Sequence, residues 1–192
     1  QSVKLVDLLK ESIKRADNAI SEKNPGLTGK DKDRISKMIG IGAVKYADLS
    51  TDRTKDYVFD WDKMLSFEGN TAPYLQYSHA RISRIFSLSP VSRKSMVDSS
   101  IELFTEEEET LARCIVNFAE SFDKSISSMQ PHKLCTHIHA TSSAFATFYE
   151  ACPILKAENE EIMTSRLALC DLTARVISTG LELLGIQSPE MM

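Results

Sequence analysis

Apolar residues recur at helical spacing over most of the chain, and the breaks in that spacing mark where elements begin and end. Val3, Leu5, Val6, Leu9, Ile13, Ala16 and Ile20 form one apolar stripe that stops at the EKNPG stretch, Glu22 to Gly26. A second helix is predicted from about Asp31 to Leu49, with Ile35, Met38, Ile39, Gly42, Ala43, Tyr46 and Ala47 on its apolar or small face. Gly40 and Gly42 each cost a helix about 1 kcal/mol, so that helix is expected to pack closely on a neighbour. Tyr57, Phe59 and Trp61 alternate with Val58 and Asp60, a strand-like signature ahead of Met64, Leu65 and Phe67.

Four long helical patterns follow from Thr71. The first runs to about Leu88. The second carries Leu111, Ile115, Phe118, Ala119, Phe122 and Ile126 as one continuous pattern, behind acids at Glu106 to Glu109 that suit a helix N-terminus. The third repeats Leu134, Ile138, Thr141, Phe145, Phe148 and Cys152 between Pro131 and Pro153, and the fourth runs from about Asn159 to Leu184 and stops at Gly185. Being apolar on more than one side, the fourth is expected to be the most buried. The fold class is therefore mainly α, with a helical bundle in the C-terminal part and a boundary near Gly69.

On a helix starting at Thr71, Leu75, Ile82 and Phe86 share one face, while Tyr74, Tyr77, Arg81 and Arg84 line a separate stripe. Composition favours tyrosines that cap the bundle core beside solvated arginines. The alternative is an RNA surface, because aromatic rings stack on unpaired bases and arginine meets phosphate or stacks itself. Thr71 is able to cap the first turn and Pro73 is tolerated there, so the stripe would be held rigidly in either case.

Composition narrows the classes further. The 192 residues are 42% hydrophobic and 26% charged, which is enough to build a buried core. Seven glycines, six prolines and no visible repeat argue against Gly-rich phosphate loops, low-complexity segments and repeat arrays. A net charge of −4 argues against binding nucleic acid through its backbone alone, so any such contact must be a local patch. Lys4, Lys10, Lys14 and Arg15 in the first helix, with Lys30, Lys32, Arg34 and Lys37 in the second, are interspersed with acids and read first as a solvated face. Cys114, Cys135, Cys152 and Cys170 lack any CxxC pairing and read as reduced, mostly buried thiols of a cytosolic protein. Charges every few positions exclude a signal sequence or membrane span at the start, and a first residue of Gln rather than Met suggests a piece of something longer.

Other candidate chemistry is weaker. Cys135, His137 and His139 invite a metal reading, but a spacing of i, i+2, i+4 splays side chains around a helix, and no metal site is expected. His79 beside Arg81 could form an acid/base pair, yet no nucleophile with an oriented partner is identifiable, so His79 is assigned to surface or interhelical packing.

Four stretches carry a family resemblance: GIGAVKYADLS (40–50), DYVFDWDKMLSFEGNTAPYLQYSHAR (56–81), FYEACPIL (148–155) and LLGIQSPEMM (183–192). Together they resemble the C-terminal half of the bacterial-type arginyl-tRNA synthetases, over essentially the whole chain. The resemblance implies a class I, ATP-dependent arginine-tRNA ligase that uses ATP with Mg to form arginyl-adenylate and passes the arginyl group to tRNA. Both ATP signatures of the family, a His-x-Gly-His motif and a Lys-Met-Ser-Lys-Ser-like loop, lie N-terminal to the matching region and are absent here. The segment alone is thus expected to be inactive, with no catalytic or cofactor-binding residue of its own.

The same resemblance implies that residues 1–68 end the catalytic region as a helical tail and that 69–192 form an all-α anticodon-binding helix bundle of the DALR type, whose naming motif is degenerate here as Leu167-Ala168-Leu169-Cys170. By resemblance, Tyr74, Tyr77, Arg81 and Met192 approach the tRNA anticodon; Met191 stands where the family usually has arginine. The implied partners are arginine tRNA and the missing N-terminal catalytic half, in the cytoplasm, with no membrane and no DNA. A helical protein-interaction module without an RNA role is the alternative.

Overall fold

A computed structural model describes residues 4–192, so Val3 of the first stripe lies outside the described residues. Helix α1 (Leu5–Lys23) and helix α2 (Gly29–Leu49) pack along their length. A methyl group added at Gly40 would fall 2.7 Å from the backbone of Ile13, which is why a helix-weakening residue stands there. The gap it leaves is closed by Ser12, whose Oγ donates to the Gly40 carbonyl at 2.6 Å. Ala16, Ile20, Ile35 and Ile39 fill the seam, whereas Leu5 and Val6, expected on the apolar face, are exposed.

No strand forms at Tyr57–Trp61. That stretch is irregular, and Asp60 ends it by accepting hydrogen bonds from the backbone N–H groups of Asp62 and Lys63, which starts the single-turn helix α3 (Trp61–Met64). Among the described residues there is no sheet for it to join, so the alternation serves local packing: Phe59 meets Trp61 edge to face and Arg15 lies over the Trp61 ring.

Helix α4 (Ala72–Leu88) leads through a 3-10 turn, Arg93–Asp98, to α5 (Glu106–Val116), where Thr105 and Glu108 form a reciprocal capping box. The long pattern expected to run on to Ile126 breaks at Asn117, a poor helix former, and resumes as α6 (Phe118–Ser127). The break lets α5 pack on both α7 (Pro131–Ala151) and α8 (Glu160–Leu183), while α6 turns along α7.

Helix α8 is the central element. Residues 165–171 are buried without interruption, so its two buried charges need partners. Arg166 pairs with Glu108 at 2.6 Å, and Asp171 pairs with Arg93 and Arg175. Gly180 allows α7 and α8 to touch, since a Cβ there would fall 2.4 Å from the Ile138 side chain. One core cluster joins Tyr46 of α2 to Leu75 of α4, Leu134 and Ile138 of α7, Ile177 of α8 and Ile186 beyond it.

Candidate functional site

Helix α4 is fixed at its first turn. The Thr71 hydroxyl accepts from the Tyr74 N–H and donates to the Ser66 carbonyl at 2.6 Å, and Pro73 sits where no intrahelical donor is required. Just before it, the Tyr46 hydroxyl lies 2.6 Å from the Asn70 side-chain oxygen and 3.1 Å from the Cys135 carbonyl, tying the start of α4 to α2 and α7. Leu75 and Ile82 are fully buried, and Tyr77 on the opposite side is 39% exposed.

Arg81 lies between two tyrosine rings. Its guanidinium is 4.7 Å from the centre of Tyr77 and 5.1 Å from that of Tyr149 on α7, and it donates to the Tyr77 hydroxyl at 2.9 Å. Phe67 meets Tyr77 edge to face, and Lys23 lies over Phe67. Two cations and three rings thus form a continuous chain of contacts, in the order Lys23, Phe67, Tyr77, Arg81 and Tyr149.

Tyr74, Tyr77, Arg81 and Met192 line a single cleft of about 600 Å³. Lys23 and Asn24 at the end of α1, Glu68 before α4 and Glu150 on α7 contribute its polar groups. Its charged side chains are two cations and two carboxylates, so they balance, and the cleft is rich in ring surface. That chemistry suits the faces and edges of bases better than a run of phosphates. Arg84 is exposed and lies off the cleft.

Tyr74 departs from the free stripe expected of it. Its ring is half-buried, tilted against His139 with centroids 5.7 Å apart, and its hydroxyl donates to the Ser142 carbonyl at 3.4 Å. It therefore forms the floor of the cleft. Phe67 and Tyr149 escaped sequence reasoning, because each joins the site through a contact between segments and carries no spacing signal.

The remaining candidates do not converge. His79, assigned to surface or interhelical packing, is 6% exposed and faces inward, with Nδ1 3.0 Å from the Pro189 carbonyl. Burial holds its imidazole below the ordinary histidine range, despite that carbonyl. Cys135 is buried and its thiol is pushed up to about 12 by desolvation. His137 bonds to the Ser121 hydroxyl at 2.9 Å and His139 rests on Tyr74, so the three point to different neighbours. No helix among the described residues is long and apolar enough to cross a membrane.

Comparison with known proteins gives the family. A family model described as the DALR anticodon binding domain matches residues 75–192, and one for the catalytic domain of class I (R) tRNA synthetases matches residues 1–61. The arginine-tRNA ligase of Cellvibrio japonicus is 50% identical over 192 residues, and that of Histophilus somni is 48% identical over 191. The match takes in 100% of this chain but 33% of either relative, so the chain spans about a third of their length. Among solved structures, the Plasmodium falciparum arginyl-tRNA synthetase superposes with a TM-score of 0.89 at 32% identity, covering 99% of this chain and 34% of that one. The Thermus thermophilus arginyl-tRNA synthetase gives 0.89 at 31%, covering 100% and 32%.

Proposed function

Because the chain belongs to the arginyl-tRNA synthetases, as the C-terminal region that carries their DALR anticodon binding domain, we propose that it docks arginine tRNA by the anticodon loop. Arginylation itself, driven by ATP, is then the work of the full-length enzyme. The observation that carries this reading is the Arg81 guanidinium set between the rings of Tyr77 and Tyr149, on a cleft that also takes in Tyr74 and Met192.

In this reading the partly exposed ring of Tyr77 takes part in stacking with an unpaired base, a contact worth about 1–3 kcal/mol. Arg81 holds that ring by its hydroxyl and stiffens it by lying over its face, which lowers the entropy lost when a base arrives. The remaining guanidinium donors, with Glu68 and Glu150 as acceptors, are placed to meet base edges. Met192 adds apolar surface to the same cleft.

Residues 1–68 act as the helical end of the catalytic region and 69–192 as the docking domain. The partners are the tRNA and the catalytic half of the same enzyme, in the cytoplasm, with neither a membrane nor DNA involved. ATP, Mg and arginine belong to that catalytic half, and no residue of this chain is assigned to activation. The alternative of a protein-interaction module without an RNA role draws no support from the relatives. Titration of arginine tRNA against the wild-type chain and Tyr77→Ala tests the proposal: the variant should bind more weakly, and equal affinities would overturn the role given to the cleft.

A further inference from the structure

The exposed side of α4 carries the cleft, and its buried side carries a row of donors that the docking reading leaves unused. Residues 185–192 leave α8 at Gly185 and run back across α2 and α4 to the end of α1. Side chains hold their main chain along the way. Lys45 Nζ donates to the Gly185 carbonyl at 2.6 Å, Gln76 Nε2 donates to that of Gln187 at 2.7 Å, and Asn24 Nδ2 donates to the main-chain oxygen of Met192 at 3.2 Å. His79 Nδ1 stands 3.0 Å from the Pro189 carbonyl, which as an acceptor requires the Nδ1–H tautomer. Every tail acceptor is a main-chain oxygen, so side chains of the body hold the backbone of the tail.

Gln76 and His79 lie one helical turn apart and are 0% and 6% exposed. Burying an amide and an imidazole costs free energy that an apolar side chain would avoid, and Gln76 Oε1 is left without a partner. Their placement makes sense through what their N–H groups hold. Gln76 also donates to the Met38 carbonyl at 3.3 Å, so one amide ties the tail to both α2 and α4. At the far end of this path Met192 packs against the α1–α2 seam and lines the same cleft as Tyr77 and Arg81.

We propose that Gln76 and His79 are positioning residues for RNA docking: from the buried side of α4 they strap residues 187–189 in place, which sets Met192 in the cleft that Tyr77 and Arg81 line from the exposed side of the same helix. This rests on the RNA-docking reading. A single helix then sets both contributions, and the shape of the cleft depends on bonds that never touch the RNA.

The test uses the full-length enzyme carrying this chain, with aminoacylation kinetics in arginine tRNA. His79→Ala should raise KM for tRNA about three- to tenfold with kcat unchanged, the range expected for one buried hydrogen bond. His79→Asn places an amide N–H where Nδ1–H stood and should restore KM. Deleting residues 188–192 removes the strapped segment, should raise KM at least as far, and should add nothing when combined with His79→Ala. A His79→Ala enzyme that melts lower but keeps the wild-type KM, or effects of His79→Ala and the deletion that multiply, would overturn the strap. If Tyr77→Ala also left KM unchanged, the docking reading itself would fall.

Discussion

Arg81 both lies over the ring of Tyr77, 4.7 Å from its centre, and donates to that ring's own hydroxyl at 2.9 Å, so each side chain fixes the other one helical turn away. The pair separates the two contributions a tyrosine makes. Tyr77→Phe keeps the ring and loses the tether, and should weaken tRNA binding by about 0.5–1.5 kcal/mol. Tyr77→Ala should cost about 1–3 kcal/mol. Binding titrations at one salt concentration check the order, and a phenylalanine variant as weak as the alanine one would contradict it.

Arg81→Lys is not a conservative change at this position. An ammonium is a point charge that cannot lie flat between the Tyr77 and Tyr149 rings while reaching the Tyr77 hydroxyl. The lysine variant is expected to bind tRNA nearly as weakly as Arg81→Ala, although it keeps the charge.

Gly40→Ala should destabilise the fold even though alanine favours helices by about 1 kcal/mol. The added methyl would meet the Ile13 and Ser12 backbone, which cannot turn aside as a flexible side chain would, at a cost of about 1–3 kcal/mol for overpacking. Thermal unfolding monitored by circular dichroism should show a lower midpoint than wild type.

Glu108→Ala should be costlier, by about 3–5 kcal/mol, because it strands the Arg166 guanidinium in the core. Glu108 also accepts from the Phe104 and Thr105 N–H groups, so the start of α5 should fray as well. Replacing both members, Glu108→Gln with Arg166→Met, should recover much of the loss in urea unfolding.

The pH dependence of stability follows from three histidines. Burial holds His79, His137 and His139 below the ordinary value near 6.5; Arg93 adds to the depression at His79, and carbonyl bonds and Glu190 oppose it only in part. The fold therefore prefers neutral rings. Below pH 6.5 the unfolded chain takes up protons that the native state resists, so stability is full above that value and falls as the pH drops through the folded values. Melting at pH 5.5 should come at a lower temperature than at pH 7.5, and His79→Asn should narrow the difference.

Periodicity made the helices legible because α1, α2, α4, α7 and α8 each bury one long stripe or more, and chain chemistry marked their ends: Pro25, Thr71, Pro131 and Asn159 all fall at boundaries. It failed where the pattern was ambiguous in kind. Alternation at Tyr57–Trp61 mimics a strand, but a strand needs a neighbour, which no local signal supplies. The spacing through Asn117 is compatible with one helix or two, and packing on α7 decided it. Within the site, Tyr77 and Arg81 were readable from one helix. Phe67, Tyr149 and the inward turn of His79 depend on segments distant in sequence, the last across 110 positions, and nothing local encodes them.

Tyr46 stands before the boundary assigned near Gly69, yet it belongs to the same core as Leu75, Leu134, Ile138 and Ile177 beyond it. A division by role therefore does not coincide with a division by cohesion. Residues 69–192 prepared by themselves would carry a raw hydrophobic socket where that phenol and Leu49 had been, inviting self-association. The segment before Gly69 and the helix bundle after it are in this sense one folding unit.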